Sequence, residues 1–546
     1  MRRKETIMAK RFGVMLDMSR NAVMKPEQVK EFAKTIRDFG YNMIQLYTED
    51  TYEVPGEPYF GYLRGRYSQE ELKDMVSYCN SIGVEVIPCV QTLAHLQAIF
   101  HWKPYCEIRD IEDILLVGAE RTYELIDNMF KSLRECYTTD YIHIGMDEAH
   151  NLGLGKYLDE NGFGNRFDIL YKHLVRVIEI AKKYGFKPLM WSDMFFRLAN
   201  KGVYYTSDPS IITDEVVAAC PEGVEQVYWD YYQSDKSAYD TMFEAHKKFP
   251  GETWFAGGAW VWSGFVPANC FTMETMVPAM ESCREHNVDN IVITMWGDDG
   301  RECSPWACLP SLFAIRRIYD GVADMERIKQ EFEKLTGERY DDMMLLDVPV
   351  HMGKVRRSFS GTHKYLLYND PFLGIFDQDL RPGVTEQYRQ ITEKLRVLAN
   401  SDSKFSYLYD SMAALTDVLS TKYDLGARTR ESYQAGDKKR LGALIADYDR
   451  TKDALERFVE KFRTLWYHDN KPHGFDVQEL RLGGLLMRLR SQRNRLADYV
   501  EGRIDSIPEL EEEILPYRGS GHAAEGISEL PYYHGWAFSA TVNRLY

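Results

Sequence analysis

The sequence predicts a (β/α)8 barrel followed by an all-α C-terminal domain, on three observations. Short β-rich apolar runs alternate with longer amphipathic segments through the first 320 residues, and eight of each can be counted. The β-rich runs are continuously apolar, the pattern of strands buried on both faces of a parallel sheet covered by helices. After about residue 320 the chain becomes rich in Leu, Glu and Arg at helical spacing.

In chain order the candidate strands are 11–17, 41–48, 84–92, 141–148, 187–193, 224–230, 253–260 and 290–298. Helices fill the gaps. After strand four, Leu170, Leu174, Val177, Ile178 and Ala181 recur at spacings that form one buried helical stripe. Gly185 ends it, as Gly40 and Gly83 end earlier helices, because a helix commonly stops on a left-handed residue and glycine has no Cβ to clash there. Eight such units suggest a closed barrel. An open doubly wound sheet is the alternative, but no Gly-rich phosphate loop opens the first helix.

Further on, Leu441, Leu444, Tyr448, Leu455, Phe458, Phe462 and Leu465 mark a long helix. The polar loop 468–474 then separates it from the next, and an ordinary connection explains it better than a functional one. A boundary near the polar stretch 337–342 divides the chain into a barrel, residues 1–335, and a helical domain, residues 336–546.

The formal net charge is −16, from 67 Lys plus Arg against 83 Asp plus Glu. That field disfavours nucleic acid as a partner. No run approaches the roughly 20 apolar residues of a membrane helix, and the opening MRRKETIMAKRFGVML lacks a signal peptide's apolar centre, so a cytoplasmic protein with no membrane partner is expected. Nine cysteines without CxxC or Cys/His spacing imply neither a disulfide framework nor a zinc ribbon, and no cofactor or metal is expected.

Active sites of such barrels form at the carboxyl ends of the strands. Acids, histidines and aromatics gather at almost every one: Asp17 and Arg20, Glu49 and Asp50, His95, the run 143–148, Trp191 to Asp193, Trp229 to Tyr231, Trp260 to Trp262, and Trp296 to Asp298. Barrel interiors favour Val, Ile and Leu, so tryptophans at four strand ends read better as the wall of a pocket than as filler. Aromatic faces pack on the C–H faces of a sugar while carboxylates and Arg bind its hydroxyls, which points to carbohydrate.

Asp147 and Glu148 are the sharpest local feature. Adjacent strand residues face opposite sides and can converge only where strand gives way to loop, as at this point. Glycoside cleavage needs a carboxylic acid to protonate the leaving oxygen, and Glu148 suits that role. Strand seven offers no acid as nucleophile, so the substrate's own 2-acetamido carbonyl is the expected one, closing an oxazolinium ring that Asp147 orients.

His143-Ile144-Gly145-Met146-Asp147-Glu148 resembles the His-x-Gly-x-Asp-Glu signature of the family 20 glycoside hydrolases, the β-N-acetylhexosaminidases. The segments 15–20, Met-Leu-Asp-Met-Ser-Arg, and 296–298, Trp-Gly-Asp, are similar to further family motifs, and the likeness covers roughly residues 10–320. It implies retaining, exo-acting removal of terminal β-linked GlcNAc or GalNAc from oligosaccharides or glycoconjugates, with Asp147 polarising the acetamide and Glu148 as acid and base. It implies that Asp298 binds O4 or O6, that Trp191, Trp229 and Trp296 form the pocket, and that His95 supports the acid through Glu49 or Asp50. Phe12 stands where many members have an Arg that grips the sugar, so Arg11 or Arg20 is expected to serve. The family's acetamide-binding Tyr is missing after strand seven, where Trp260 stands instead, and Tyr231 or Tyr232 is the expected substitute. The small α/β domain that often precedes the barrel is not expected here. The helical C-terminal domain resembles that of a bacterial subgroup of exo-acting N-acetylglucosaminidases, and the same resemblance suggests a homodimer.

Other classes compete. A metal-dependent hydrolase would use His143, Asp147, Glu148 and His150, but the usual Glu-x-x-His helical spacing is missing. A sugar-binding barrel without turnover is disfavoured by the intact Asp-Glu pair. A related acetamido hydrolase class with an Asp-Asp pair is disfavoured by Glu148.

Overall fold

The structure is a computed structural model that describes residues 9–352, 361–517, 519 and 535–543, the side chain at 299 excepted. Eight parallel strands close into a barrel in sequence order: β1 (Arg11–Asp17), β2 (Met43–Tyr47), β3 (Glu85–Cys89), β4 (Tyr141–His143), β5 (Lys187–Trp191), β6 (Glu225–Trp229), β7 (Trp254–Gly258) and β8 (Asn290–Met295), with β8 pairing back onto β1. The strands are buried almost throughout, which is why they read as unbroken apolar runs. All but β1 are shorter than their sequence runs, and β2 to β8 stop short at the carboxyl end. There the chain leaves the ladder so that polar side chains can turn over the barrel mouth.

The helix Arg166–Lys183 buries the predicted stripe, and Gly40, Gly83 and Gly185 take left-handed φ of 97°, 77° and 71° after their helices. Among the described residues no helix is long and apolar enough to cross a membrane.

The chain divides into two compact units, and the division is not a single cut near residue 335. The barrel unit comprises the chain to Ala259 with 272–296 and 311–328. The second unit holds 260–271, 297–310 and the chain from 329. Its long helices are Val384–Ala399, Ser406–Lys422, Lys438–Asp469 and Phe475–Val500. Every residue of the predicted stripe Leu441 to Leu465 is buried on the third of these. The turn after it is tied by Trp466 Nε1 donating to the Lys471 carbonyl at 3.1 Å, a structural contact. Within this unit Glu302 is fully buried between Lys364, at 2.7 Å, and Arg481, at 3.1 Å.

Candidate active site

The site begins with the backbone after β4. Gly145, Met146 and Glu148 have left-handed φ of 72°, 71° and 52°. For Met and Glu this conformation costs on the order of 1–2 kcal/mol each, and such strain concentrates where function demands a geometry. Only glycine fits at 145, because a Cβ there would stand 2.0 Å from Gln91 Oε1 and 2.8 Å from the Val90 carbonyl. The turn brings two adjacent carboxylates to one imidazole. His95 Nε2 lies 3.3 Å from Asp147 Oδ2 and 3.8 Å from Glu148 Oε2. His95 is itself left-handed at φ 57°, held by its backbone N–H donating to Asp113 Oδ2 at 2.9 Å.

The two acids differ in environment. The Asp147 side chain is 10% exposed and accepts from Gln91 Nε2 at 2.7 Å, whereas the Glu148 side chain is 40% exposed. Burial pushes the Asp147 carboxyl up, but the adjacent His95 cation, the Gln91 amide and Arg20 outweigh it and hold it down at about 2. Burial pushes His95 down, and the Asp147 carboxylate outweighs that and raises it to about 10. The pair therefore rests as carboxylate and imidazolium, with Glu148 at the solvent side.

A hydrogen-bonded chain backs Asp147. Gln91 Nε2 also donates to Tyr47 Oη at 3.1 Å, and Tyr47 Oη donates to Glu49 Oε1 at 2.9 Å. Burial raises Glu49 to about 7 despite Arg20, whose Nε lies 3.6 Å away. Arg20 also binds Asp17 Oδ2 at 3.1 Å and lies 4.7 Å over the Trp296 ring.

On the other side, Asp193 Oδ2 accepts from the Glu148 backbone N–H and from Arg197 Nε, both at 3.1 Å. Arg197 also lies 3.6 Å from Glu148 Oε1. Burial first, then the Asp147 charge, raises Asp193 to about 7. An acid raised on folding holds its proton more tightly in the folded state, so its contribution to stability falls as pH climbs from its unfolded value, about 4, to about 7. Asp193→Asn abolishes that slope. Measured by unfolding midpoint, the variant is expected to gain on the parent between about pH 4 and about 7 and to level off above that, and a pH-independent difference would mean Asp193 is ionised throughout.

The aromatic wall is continuous within the barrel unit. Trp191 packs 4.2 Å from the His143 ring and 5.9 Å from Trp296, which meets Tyr47 edge-on at 4.9 Å. Trp296 Nε1 donates to Tyr231 Oη at 3.1 Å, and Tyr231 stacks on Trp229 at 5.5 Å. Asp230 is buried and accepts the Tyr232 backbone N–H at 3.0 Å, fixing the turn that carries both tyrosines.

Asp147, Glu148, Arg20, His95, Trp191, Trp229, Tyr231 and Trp296 thus come together. Two expected residues do not. Arg11 opens β1 at the amino end of the barrel, paired with Glu85 Oε2 at 2.8 Å and lying over Tyr141 and Trp254, which open β4 and β7. It cannot reach a sugar at the carboxyl end, because the whole filled barrel separates the two ends. Asp50 is fully buried and committed to Arg64 Nε at 2.9 Å, so the acid after β2 that joins the network is Glu49. His95 lies within 3.8 Å of both the Asp147 and the Glu148 carboxylates, and Glu49 also acts on its charge. Trp260 and Asp298 belong to the second unit, where Trp260 stacks on Trp262 at 4.1 Å and Asp298 opens a short 3-10 turn.

Gln91, Tyr47 and Arg197 were not anticipated. For Arg197 a signal existed, since it lies one helical turn after Asp193 and that spacing pairs opposite charges. His143, which the metal reading required, is buried against Trp191 with Nδ1 accepting the Gly145 N–H at 3.1 Å, so it serves the turn. Among the described residues the group able to hold a metal ion is Cys270, Asp347 and His351, in the second unit, where His351 Nε2 lies 2.9 Å from Asp347 Oδ2.

Residues 12–225 match the catalytic domain of glycosyl hydrolase family 20, and residues 341–529 match the glycoside hydrolase 20C C-terminal domain. The chain is 25% identical to Hexosaminidase D of Bos taurus over 294 residues, 51% of this chain and 76% of that protein. It is also 25% identical to Hexosaminidase D of Homo sapiens over 231 residues, 40% of this chain and 44% of that protein. It therefore spans three quarters of one curated relative and less than half of the other. Among solved structures, the chitobiase of Flavobacterium johnsoniae aligns over 92% of this chain and 74% of its own at 14% identity, with a TM-score of 0.46.

Proposed function

The chain belongs to glycoside hydrolase family 20, and from that premise we propose that it is a retaining exo-β-N-acetylhexosaminidase that cleaves terminal non-reducing β-linked GlcNAc or GalNAc by substrate-assisted catalysis. One observation carries the mechanism. A buried Asp147 and a solvent-side Glu148 flank one imidazole, at 3.3 and 3.8 Å, while β7 (Trp254–Gly258) has no carboxylate to serve as nucleophile.

In this reading the acetamido carbonyl oxygen attacks C1 as the bond from C1 to the leaving oxygen breaks, and Glu148 gives that oxygen its proton. Positive charge spreads over the new oxazolinium ring. Asp147 accepts the hydrogen bond of its N–H and stabilises the charge, at a position where low dielectric makes a fixed carboxylate effective. Water then attacks C1 from the vacated side, Glu148 takes its proton, and the ring opens with configuration retained. Arg20 and the wall of Trp191, Trp229 and Trp296 hold the sugar, and Tyr231 meets the acetamide oxygen.

Matched aryl glycosides test the reading, because only the N-acetylated sugar contains the internal nucleophile. Turnover of aryl β-GlcNAc is expected to exceed that of aryl β-glucoside by about a thousandfold or more, as a positioned intramolecular nucleophile allows. Comparable rates would overturn it.

A further inference from the structure

We propose that Tyr59, Tyr62 and Trp102 form a second sugar-binding surface, an aromatic platform that receives a pyranose ring on the leaving-group side of the scissile bond. The proposal rests on the exo-glycosidase reading above, and it names what lies beyond the terminal sugar.

The three rings come from two loops at the carboxyl end of the barrel, after β2 and β3, the end that carries Asp147 and Glu148. Tyr59 and Tyr62 are 42% and 43% exposed, and Leu63 beside them is 68% exposed. They nevertheless cluster. Tyr59 lies 5.7 Å from Trp102 with the planes 34° apart, and Tyr62 stands edge-on to both, at 5.9 and 5.2 Å. Large aromatics left in water together mark a binding surface more often than packing, and a pyranose offers the flat C–H face that such rings cover.

The loop after β2 that carries the two tyrosines begins with Glu49, which accepts from Tyr47 Oη. Gly61, between the two tyrosines, sits so close to Asp50 that a Cβ would stand 2.1 Å from its carbonyl oxygen, and Asp50 follows Glu49 of the catalytic network. Arg64, on the same turn, binds both the Asp50 carboxylate and the Ser19 carbonyl beside Arg20. In this proposal a glycan that extends from the terminal sugar toward the loops after β2 and β3 meets the rings.

The rings are also held ready. Glu57 is buried and accepts hydrogen bonds from Arg121 Nη1 at 2.7 Å, Asn128 Nδ2 at 3.0 Å and Tyr105 Oη at 3.0 Å. It lies two residues before Tyr59, and Tyr105 lies three after Trp102, so one carboxylate staples the two ring-bearing loops. Pre-organisation lowers the ordering cost of binding.

The test compares triacetylchitotriose with methyl β-GlcNAc, whose aglycone is too small to reach the platform. In Trp102→Ala, and in Tyr59→Ala combined with Tyr62→Ala, kcat/KM on the trisaccharide is expected to fall about tenfold, mainly through KM, with the methyl glycoside unchanged within about twofold. Trp102→Phe and the two Tyr→Phe variants keep a ring face and should retain both the fold and most of the trisaccharide activity. Equal losses on both substrates, or none on either, would overturn the platform. So would a change of assembly state on sedimentation, which would assign the rings to a second copy of the chain. Failure of the unmodified protein to cleave methyl β-GlcNAc would instead strike the catalytic reading, and loss of trisaccharide binding in Trp102→Ala would then still decide the platform.

Discussion

Glu148→Gln is expected to lower kcat/KM on diacetylchitobiose by about 10²–10⁴ while barely changing kcat/KM on dinitrophenyl β-GlcNAc. The substitution keeps the size and shape of the side chain, and its amide can still lie between His95 and Arg197, which stand 3.8 and 3.6 Å from the native carboxylate. What it removes is the transferable proton. A sugar leaves as a strongly basic alkoxide unless protonated, whereas dinitrophenolate leaves unaided. Because kcat/KM reports only as far as the first irreversible step, the two substrates isolate the protonation of the leaving oxygen. The second step still needs Glu148 as a base, so kcat on the dinitrophenyl substrate should fall even where kcat/KM does not. A uniform loss of kcat/KM on both substrates would indicate that Glu148 binds sugar rather than donating a proton.

The barrel was legible in the sequence because parallel strands covered on both faces leave an unambiguous pattern, apolar runs punctuated by glycine-terminated helices. The site was legible where side chains act as neighbours in the chain. Asp147 and Glu148 are adjacent, Trp191 and Trp229 close their strands, and Trp296 follows β8 directly. It was illegible where partners come from separate strands. Gln91 touches Asp147, Tyr47 and the Met146 N–H, contacts set by barrel closure and not by spacing. Arg11 failed for a related reason. Its nearness to Phe12 in sequence suggested a stand-in for the sugar-gripping Arg, but the seven residues of β1 carry its first and last side chains to opposite ends of the barrel. The choice between Glu49 and Asp50 turned on alternation, which sends neighbouring residues to different partners, Tyr47 for one and Arg64 for the other. The helical stripe at 441–465 was clear in the sequence, whereas the allocation of 260–271 and 297–310 to the second unit reflects long-range packing that no local pattern encodes.

Asp147→Asn should reduce kcat by about 10²–10³, and azide should restore little of it. The native carboxylate is a fixed negative charge in a buried site, aimed at the cation that forms when the acetamido oxygen closes on C1. Asn can still accept the amide hydrogen bond of the substrate but cannot balance that cation, so the loss falls on kcat more than on KM. Azide rescues an enzyme that has lost a carboxylate nucleophile, because the small anion attacks C1 in its place. Here nothing is lost at C1, and formation of a glycosyl azide at a restored rate would instead mean that a protein side chain is the nucleophile. The same variant has a spectroscopic consequence. His95 keeps its proton against burial because Asp147 stands 3.3 Å away, and without that charge burial prevails and the imidazole titrates well below its native value of about 10. Following the His95 ring by NMR therefore separates two roles. A variant that loses activity while His95 stays protonated would assign the defect to the substrate cation alone, whereas a neutral His95 would show that Asp147 also sets the charge next to Glu148.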